Sequence, residues 1–301
     1  MASKYRSILI QKEDGLSLCS KLARSMRQLI RFIIRKFLSH TAGKAKFQGF
    51  YTVIHDIALR GMNYRSGDFR TSGEIIILRS VLKIFKENNN DVITIFDDGA
   101  NVGSYSIELS KIFSDLDYNI LAFEPSKTTF KTLKSNTEHI RNIGLYNFGF
   151  SASKKRTTLF SDQDNSGLAS LYERDLNDIG IDMTAISEDV QLEVIDEFTT
   201  GNNIEKINFL KIDVEGHELD VLRGALNMIS KGGIDIIQIE FGEPNIDSRH
   251  FLKDFYTVLS AYNFYRILKD GLTPLGNYST TNEIFLTVNF IAIHKSISVH
   301  F

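Results

Sequence analysis

The chain has 301 residues, 43% of them hydrophobic and 24% charged, with a formal net charge of −2 and one cysteine, Cys19. That length holds one large α/β domain plus an extension, and a lone cysteine excludes an internal disulfide framework and a cysteine-rich zinc site, implying a reducing, cytoplasmic setting. Residues 1–46 carry six Lys and five Arg against Glu13 and Asp14, a balance of +9 that leaves −11 for the remainder; an acidic body with a basic arm argues against nucleic acid as a partner.

No secretory leader pattern opens the chain, and no run reaches the roughly 18 apolar residues that cross a bilayer. Residues 16–38 read as an amphipathic helix. Leu22, Met26, Leu29, Ile33 and Phe37 recur at spacings of three and four, with Arg24, Gln28, Arg31 and Arg35 opposite. Such a helix either lies on an anionic membrane surface or a partner protein, or rests on the main domain with its basic face in water. The expected division is a basic helical extension over 1–48, a helical cap over 49–90 and the main domain over 91–301. In the cap, Thr71-Ser72-Gly73-Glu74 has the form of a capping box ahead of a helix from Glu74 to about Lys86. Glu74 either caps that helix or faces a ligand beneath a closing loop.

The main domain opens on TIFDDGANVGSYSIELSKIF, residues 94–113. Thr94, Ile95 and Phe96 form a short buried strand. The turn from Asp97 to Gly103 follows, and helical periodicity resumes at Val102, Tyr105, Ile107, Leu109 and Ile112. Strand, glycine turn and helix together bring backbone N–H groups to a ligand. A carboxylate in the turn repels a phosphate placed directly there, and suits a ligand with hydroxyls or a cationic centre. The second glycine of G-x-G-x-x-G is replaced by Asn101, which counts against a dinucleotide fingerprint. A second strand, 119–123, ends in Glu124, 21 residues beyond Gly103. At that interval an acidic residue meets ribose hydroxyls, since a carboxylate accepts from both.

Further strands are expected at 143–148, 157–160 and 189–194. The polar loop over 161–176 offers Asn165, Ser166, Ser170, Tyr172 and Arg174 to a polar substrate or to adenine. The block INFLKIDVEGHELDVLRGA, residues 207–225, reads as a buried strand ending at Asp213, with Glu215, Gly216, His217 and Glu218 opening the next helix. A strand over 236–239 ends in Glu240, so that Asp213, His217 and Glu240 are expected to converge on one cleft at the carboxyl ends of parallel strands. A strand pair at 264–268 and 284–294 closes the domain.

Asp97-x-Gly99-x-Asn101-x-Gly103 has the D-x-G-x-(G/N)-x-G form of methyltransferases that use S-adenosylmethionine (SAM). With AFEPSKTTFKTLKSN, NSGLASLY, KIDVEGHE, IIQIEFG and NFIAIHK, the chain from about 60 to 295 resembles the FkbM-type methyltransferases, from which Asp98 departs where an apolar residue is usual. The resemblance implies a Rossmann-like class I methyltransferase fold: a mostly parallel seven-stranded sheet with the last strand antiparallel, here with an α-helical N-terminal extension. It implies SAM as methyl donor and O-methylation of a small-molecule or glycan acceptor. The cofactor set is then Glu74, Asp97, Gly99, Asn101, Gly103, Glu124, Ser151 and Asp213. Asn165, Ser170 and Glu215 are expected to face the acceptor. His217 is the expected general base, positioned by Asp213, with a divalent cation between Asp213 and Glu240 as the other route to an activated hydroxyl. A nicotinamide-dependent oxidoreductase and a non-catalytic SAM-binding, membrane-associated protein are the rival readings.

Overall fold

The computed structural model describes residues 28, 31–32, 34–88 and 92–298. Most of the amphipathic helix expected over 16–38 lies outside the described residues. The described residues fall into two compact units, divided between Leu59 and Arg60. This differs from the expected boundaries at 48 and 90. The cap helix Glu74–Asn88 belongs with the main domain because Ile77, Leu78 and Val81 sit in one core with Ile93 and Ile95.

In the first unit, residues 34–41 are helical and helix Gln48–Gly61 begins after a short 3-10 turn, Ala45–Phe47. Phe37 meets Phe50 edge-on at 5.6 Å, and Thr41 Oγ1 hydrogen-bonds the Tyr51 hydroxyl. Phe50, Val53, Ile54 and Ile57 recur at helical spacing, yet all four are exposed.

The second unit carries strands β1 Ile93–Asp98, β2 Tyr118–Phe123, β3 Ile143–Tyr146, β4 Gly149–Phe150, β5 Lys155–Ser161, β6 Ile186–Glu193, β7 Ile207–Ile212, β8 Ile234–Phe241, β9 Tyr262–Leu268, β10 Gly271–Pro274 and β11 Val288–His294. The main sheet has the order β10-β9-β11-β8-β7-β1-β2-β3. Pairings among β3, β2, β1, β7 and β8 are parallel, and β11 runs antiparallel between β8 and β9. This is the Rossmann-like class I methyltransferase arrangement, mostly parallel with the last strand reversed. It has eight strands rather than seven, because β10 folds back on β9 as an antiparallel edge hairpin. A second sheet, β4-β6-β5, stands beside it.

All six residues of β7 are buried, as expected of a parallel strand covered on both faces. One face meets the Ile77–Ile95 core. The other carries an aromatic cluster, with Phe123 at 5.1 Å from Phe96 and 4.5 Å from Phe150. The strand order reverses at β1, which pairs with both β2 and β7. Open α/β sheets bind ligands beyond the carboxyl ends of the strands at such a point.

Candidate functional site

Three adjoining cavities lie at that end of the sheet, and Gly99, Asn101, Gly167 and Asp213 line all three. The first is narrow, about 60 Å³, and holds Glu124, Phe150 and His217. The second, about 540 Å³, holds Arg174, Glu215, Glu240 and Glu243. The third, about 340 Å³, holds Glu74, Tyr105, Asn165, Lys211 and Glu240.

The turn after β1 sets the shared wall. Gly99 has φ +84°, and a Cβ there would stand 1.8 Å from the Asp213 carbonyl oxygen, so only glycine lets the ends of β1 and β7 close. Asn101, at φ 48°, donates its backbone N–H to Glu124 Oε2 at 3.0 Å and its side-chain amide to the Ser166 carbonyl at 2.9 Å. Glu124 Oε1 accepts from the Ser126 N–H at 2.9 Å. Burial raises the Glu124 pKa to about 7 against these two N–H donors. A carboxylate holding one donor per oxygen keeps lone pairs for two further hydroxyls.

Two residues expected to touch the cofactor lie behind the wall instead. Asp97 is fully buried. It accepts from Ser106 Oγ at 2.6 Å and lies 3.9 Å from Lys211 Nζ. Gly103 faces the neighbouring helix, where a Cβ would stand 2.7 Å from Leu133 Cδ1. The motif positions at 97 and 103 therefore shape the turn, while 99 and 101 line the cavities.

Lys211 escaped the sequence reading. It is buried in β7, its Nζ lies 2.9 Å from Asp213 Oδ2, and it stands over the Tyr105 ring at 4.7 Å. Burial disfavours its cation, but Asp213, Asp97 and Glu74 outweigh burial and hold the pKa above its ordinary value. The available signal was a lysine inside the otherwise apolar strand INFLKI. Around it, Tyr105 donates its hydroxyl to Gln238 Oε1 at 2.8 Å, and Gln238 donates its amide to Glu74 and to Asn289 Oδ1.

Glu74 faces the third cavity. It is the first residue of its helix, with Gly73 ahead of it accepting from Ile77, so the capping box on Thr71 does not form. Ser72 Oγ donates to Glu74 Oε1 at 2.7 Å, and burial raises the Glu74 pKa against Ser72, Lys211 and Gln238.

His217 does not join Glu240. It is the N-cap of helix Glu218–Arg223, lines only the narrow cavity and is 3% exposed. Its Nδ1 lies 2.9 Å from the Tyr172 hydroxyl and its Nε2 3.0 Å from Ser151 Oγ, so both ring nitrogens are occupied. Burial lowers its pKa to about 4 despite Asp220 nearby. Ser151, 1% exposed, supports His217 and is absent from the cavity walls. Ser170 likewise turns inward, donating to the Glu215 carbonyl at 2.7 Å. Asn165 does reach the third cavity.

Glu215, at φ 50°, accepts from Arg174 Nη1 at 2.9 Å; burial and Asp213 raise its pKa to about 8 against Arg174. Glu240 opens on the second and third cavities, and its carboxylate has no hydrogen-bond partner among the described residues. Burial, then Asp213 and Glu215, push its pKa well up. Among the described residues no group of three His, Cys, Asp or Glu is arranged to hold a metal ion.

Residues 97–265 match the family model described as the Methyltransferase FkbM domain. Hexuronic acid methyltransferase AglP from Haloferax volcanii is 27% identical over 194 residues, 64% of this chain and 72% of that protein. Methyltransferase 1 from Beauveria bassiana is 28% identical over 43% of this chain and 57% of that protein, so the chain spans less than two thirds of it. The crystal structure of Methyltransferase FkbM from Methylobacillus flagellatus KT aligns with a TM-score of 0.41 and 15% identity, over 71% of this chain and 47% of that one.

Proposed function

Because the chain belongs to the FkbM methyltransferase family, we propose that it transfers the methyl group of SAM to a hydroxyl of a sugar or glycan acceptor, and that it does so in the cytoplasm. The observation that carries this reading is Glu124 at the end of β2, tied to the Asn101 N–H and facing the same cavity as Gly99 and Asp213. The arrangement fits a ligand with a ribose and a cationic centre. The hexuronic acid in the name of the Haloferax relative supports a sugar-like acceptor.

When bound, SAM supplies an electrophilic methyl group on a sulfonium. Glu124 would accept from its ribose hydroxyls. Asp213, Glu74 and Glu240 would balance its positive charge, with Lys211 holding Asp213 in place. The acceptor hydroxyl must lose a proton, and Glu240 is the group we assign to take it. Glu240 faces the cavity without a hydrogen-bond partner among the described residues, and a raised carboxylate pKa suits a base working near neutrality. A cationic ligand beside it lowers that pKa again. His217, with both nitrogens occupied, serves to position the turn after β7.

The test is a titration of the full chain with SAM, followed by labelled methyl transfer to a panel of glycosides. Incorporation into a hydroxyl supports the reading. Binding of NADH in place of SAM contradicts it.

A second surface bears on location. No helix among the described residues is long and apolar enough to cross a membrane. We propose that the first unit instead rests on anionic lipid. Phe50, Val53, Ile54 and Ile57 are exposed on helix Gln48–Gly61, and Arg35, Lys36, Lys44 and Lys46 are near them in sequence. Salt-sensitive sedimentation with phosphatidylserine vesicles, lost in Ile54→Glu/Ile57→Glu, is the expected result. Equal sedimentation of the variant would remove the proposal.

A further inference from the structure

Resting on the methyltransferase reading, we propose that the acceptor is an uncharged or amino-bearing polyol, and that the second cavity rejects an acceptor carrying a carboxylate. At about 540 Å³ it has the size of a small-molecule pocket. It adjoins the cavity holding Glu124 through Gly99, Asn101 and Asp213, and so lies beside the place where a cofactor would sit.

Carboxyl groups outnumber cations in this wall. Asp213, Glu215, Glu240 and Glu243 line it, and Arg174 is the one cation among its described lining residues. Arg174 is the counter-charge of Glu215, and its buried Nε has no hydrogen-bond partner among the described residues. Its Nη1 donates to Glu215 at 2.9 Å, and its Nε lies 3.7 Å from Asp247. Lys211 opens on the third cavity instead, held by Asp213 at 2.9 Å and within 3.9 Å of Asp97. A uronate entering here would meet Glu243 and, in its ionised form, Glu240, with the cation of the Arg174–Glu215 pair as the only positive charge among the described lining residues. Like charges brought together in a partly desolvated cavity repel strongly.

The same wall suits hydroxyls and amines. An ionised carboxylate only accepts hydrogen bonds and a protonated one still keeps an acceptor oxygen, so this wall selects ligands rich in donors. Among the described residues Glu240 has no hydrogen-bond partner for its carboxylate, and the Glu243 carboxylate accepts only from Thr287 Oγ1 at 2.9 Å. Leu168, Leu176 and Ile179 line the same cavity and offer an apolar surface to the C–H face of a pyranose. This preference is opposite in charge to the substrate in the Haloferax relative's name.

The test uses the full chain loaded with S-adenosylhomocysteine at pH 8. Methyl glucoside, methyl glucosaminide and methyl glucuronide are titrated in turn by calorimetry or saturation-transfer NMR. The neutral and amino sugars are expected to bind at least tenfold more tightly than the glucuronide. Glu243→Gln should narrow that gap, and Glu243→Lys should narrow it further. A glucuronide that binds as tightly as the glucoside overturns the inference. So does binding of none of the three while S-adenosylhomocysteine still binds. Failure of S-adenosylhomocysteine itself to bind overturns the methyltransferase reading on which the inference rests.

Discussion

Lys211 Nζ lies 2.9 Å from Asp213 Oδ2. The two residues are two apart at the end of β7, and the period of a strand sends both side chains to one side. Lys211 is thereby the counter-charge of the buried carboxyl groups of Asp97 and Glu74 and of the half-buried Asp213. Removing it leaves those carboxylates uncompensated. Lys211→Met should cost about 3–5 kcal/mol of stability, the scale for breaking a buried ion pair. Urea unfolding monitored by circular dichroism measures this. An unchanged midpoint would mean that the carboxylates are neutral in the folded protein and need no cation.

Asp98 carries the opposite lesson. It is fully buried, and neither carboxylate oxygen has a hydrogen-bond partner among the described residues. Burial, with Asp97 adjacent, pushes its pKa well above the ordinary value. The folded state therefore holds this proton more tightly than the unfolded chain, whose aspartate pKa is about 3.9. The favourable contribution is complete below the unfolded value and is lost as pH rises toward the folded one. Asp98→Val should raise stability near neutral pH by about 1–3 kcal/mol, the cost of an unsatisfied buried polar group. It should also flatten the fall of stability with pH above 4. A variant less stable than the parent at pH 7.5 would show that Asp98 has a partner in solution.

Assigning the base to Glu240 separates it from His217 kinetically. Glu240→Gln should cut turnover by roughly 10²–10⁴-fold, the usual contribution of a positioned base. His217→Gln should lower it less than tenfold. With its pKa lowered to about 4, His217 is neutral throughout the assay range and contributes no acid limb between pH 6 and 7. Any acid limb there should vanish in Glu240→Gln and persist in His217→Gln. The reverse pattern would restore the histidine as base. Abolition of activity by a chelator would transfer the role to a divalent cation between Asp213 and Glu240.

The strand-end carboxylates were readable because each ends a short apolar run. Thr94–Phe96 leads into the Asp97–Gly103 turn, the strand over 119–123 into Glu124, and the strand over 207–212 into Asp213. Parallel order then collects such ends at one edge of the sheet. Which side chains face the cavity was not readable. Asp97 and Gly103 belong to the motif as fully as Gly99 and Asn101 do, yet a neighbouring strand and a neighbouring helix claim them. The hydrogen bond from Gln238 to Glu74 spans 164 residues of chain, and no local pattern announces it. His217 looked catalytic because its partners, Tyr172 and Ser151, come from distant loops. The second sheet was partly hidden because β4 is two residues long, too short for alternation to register.

Recognition of the SAM ribose by Glu124 is tested most directly by calorimetric titration of the full chain with SAM and with NADH. SAM should bind, NADH should not, and Glu124→Ala should weaken SAM by about 1–3 kcal/mol, the range for losing a charged hydrogen-bond partner. The variant should keep the circular dichroism of the parent. Unchanged SAM affinity in a folded Glu124→Ala protein, or binding of NADH instead, would contradict the account.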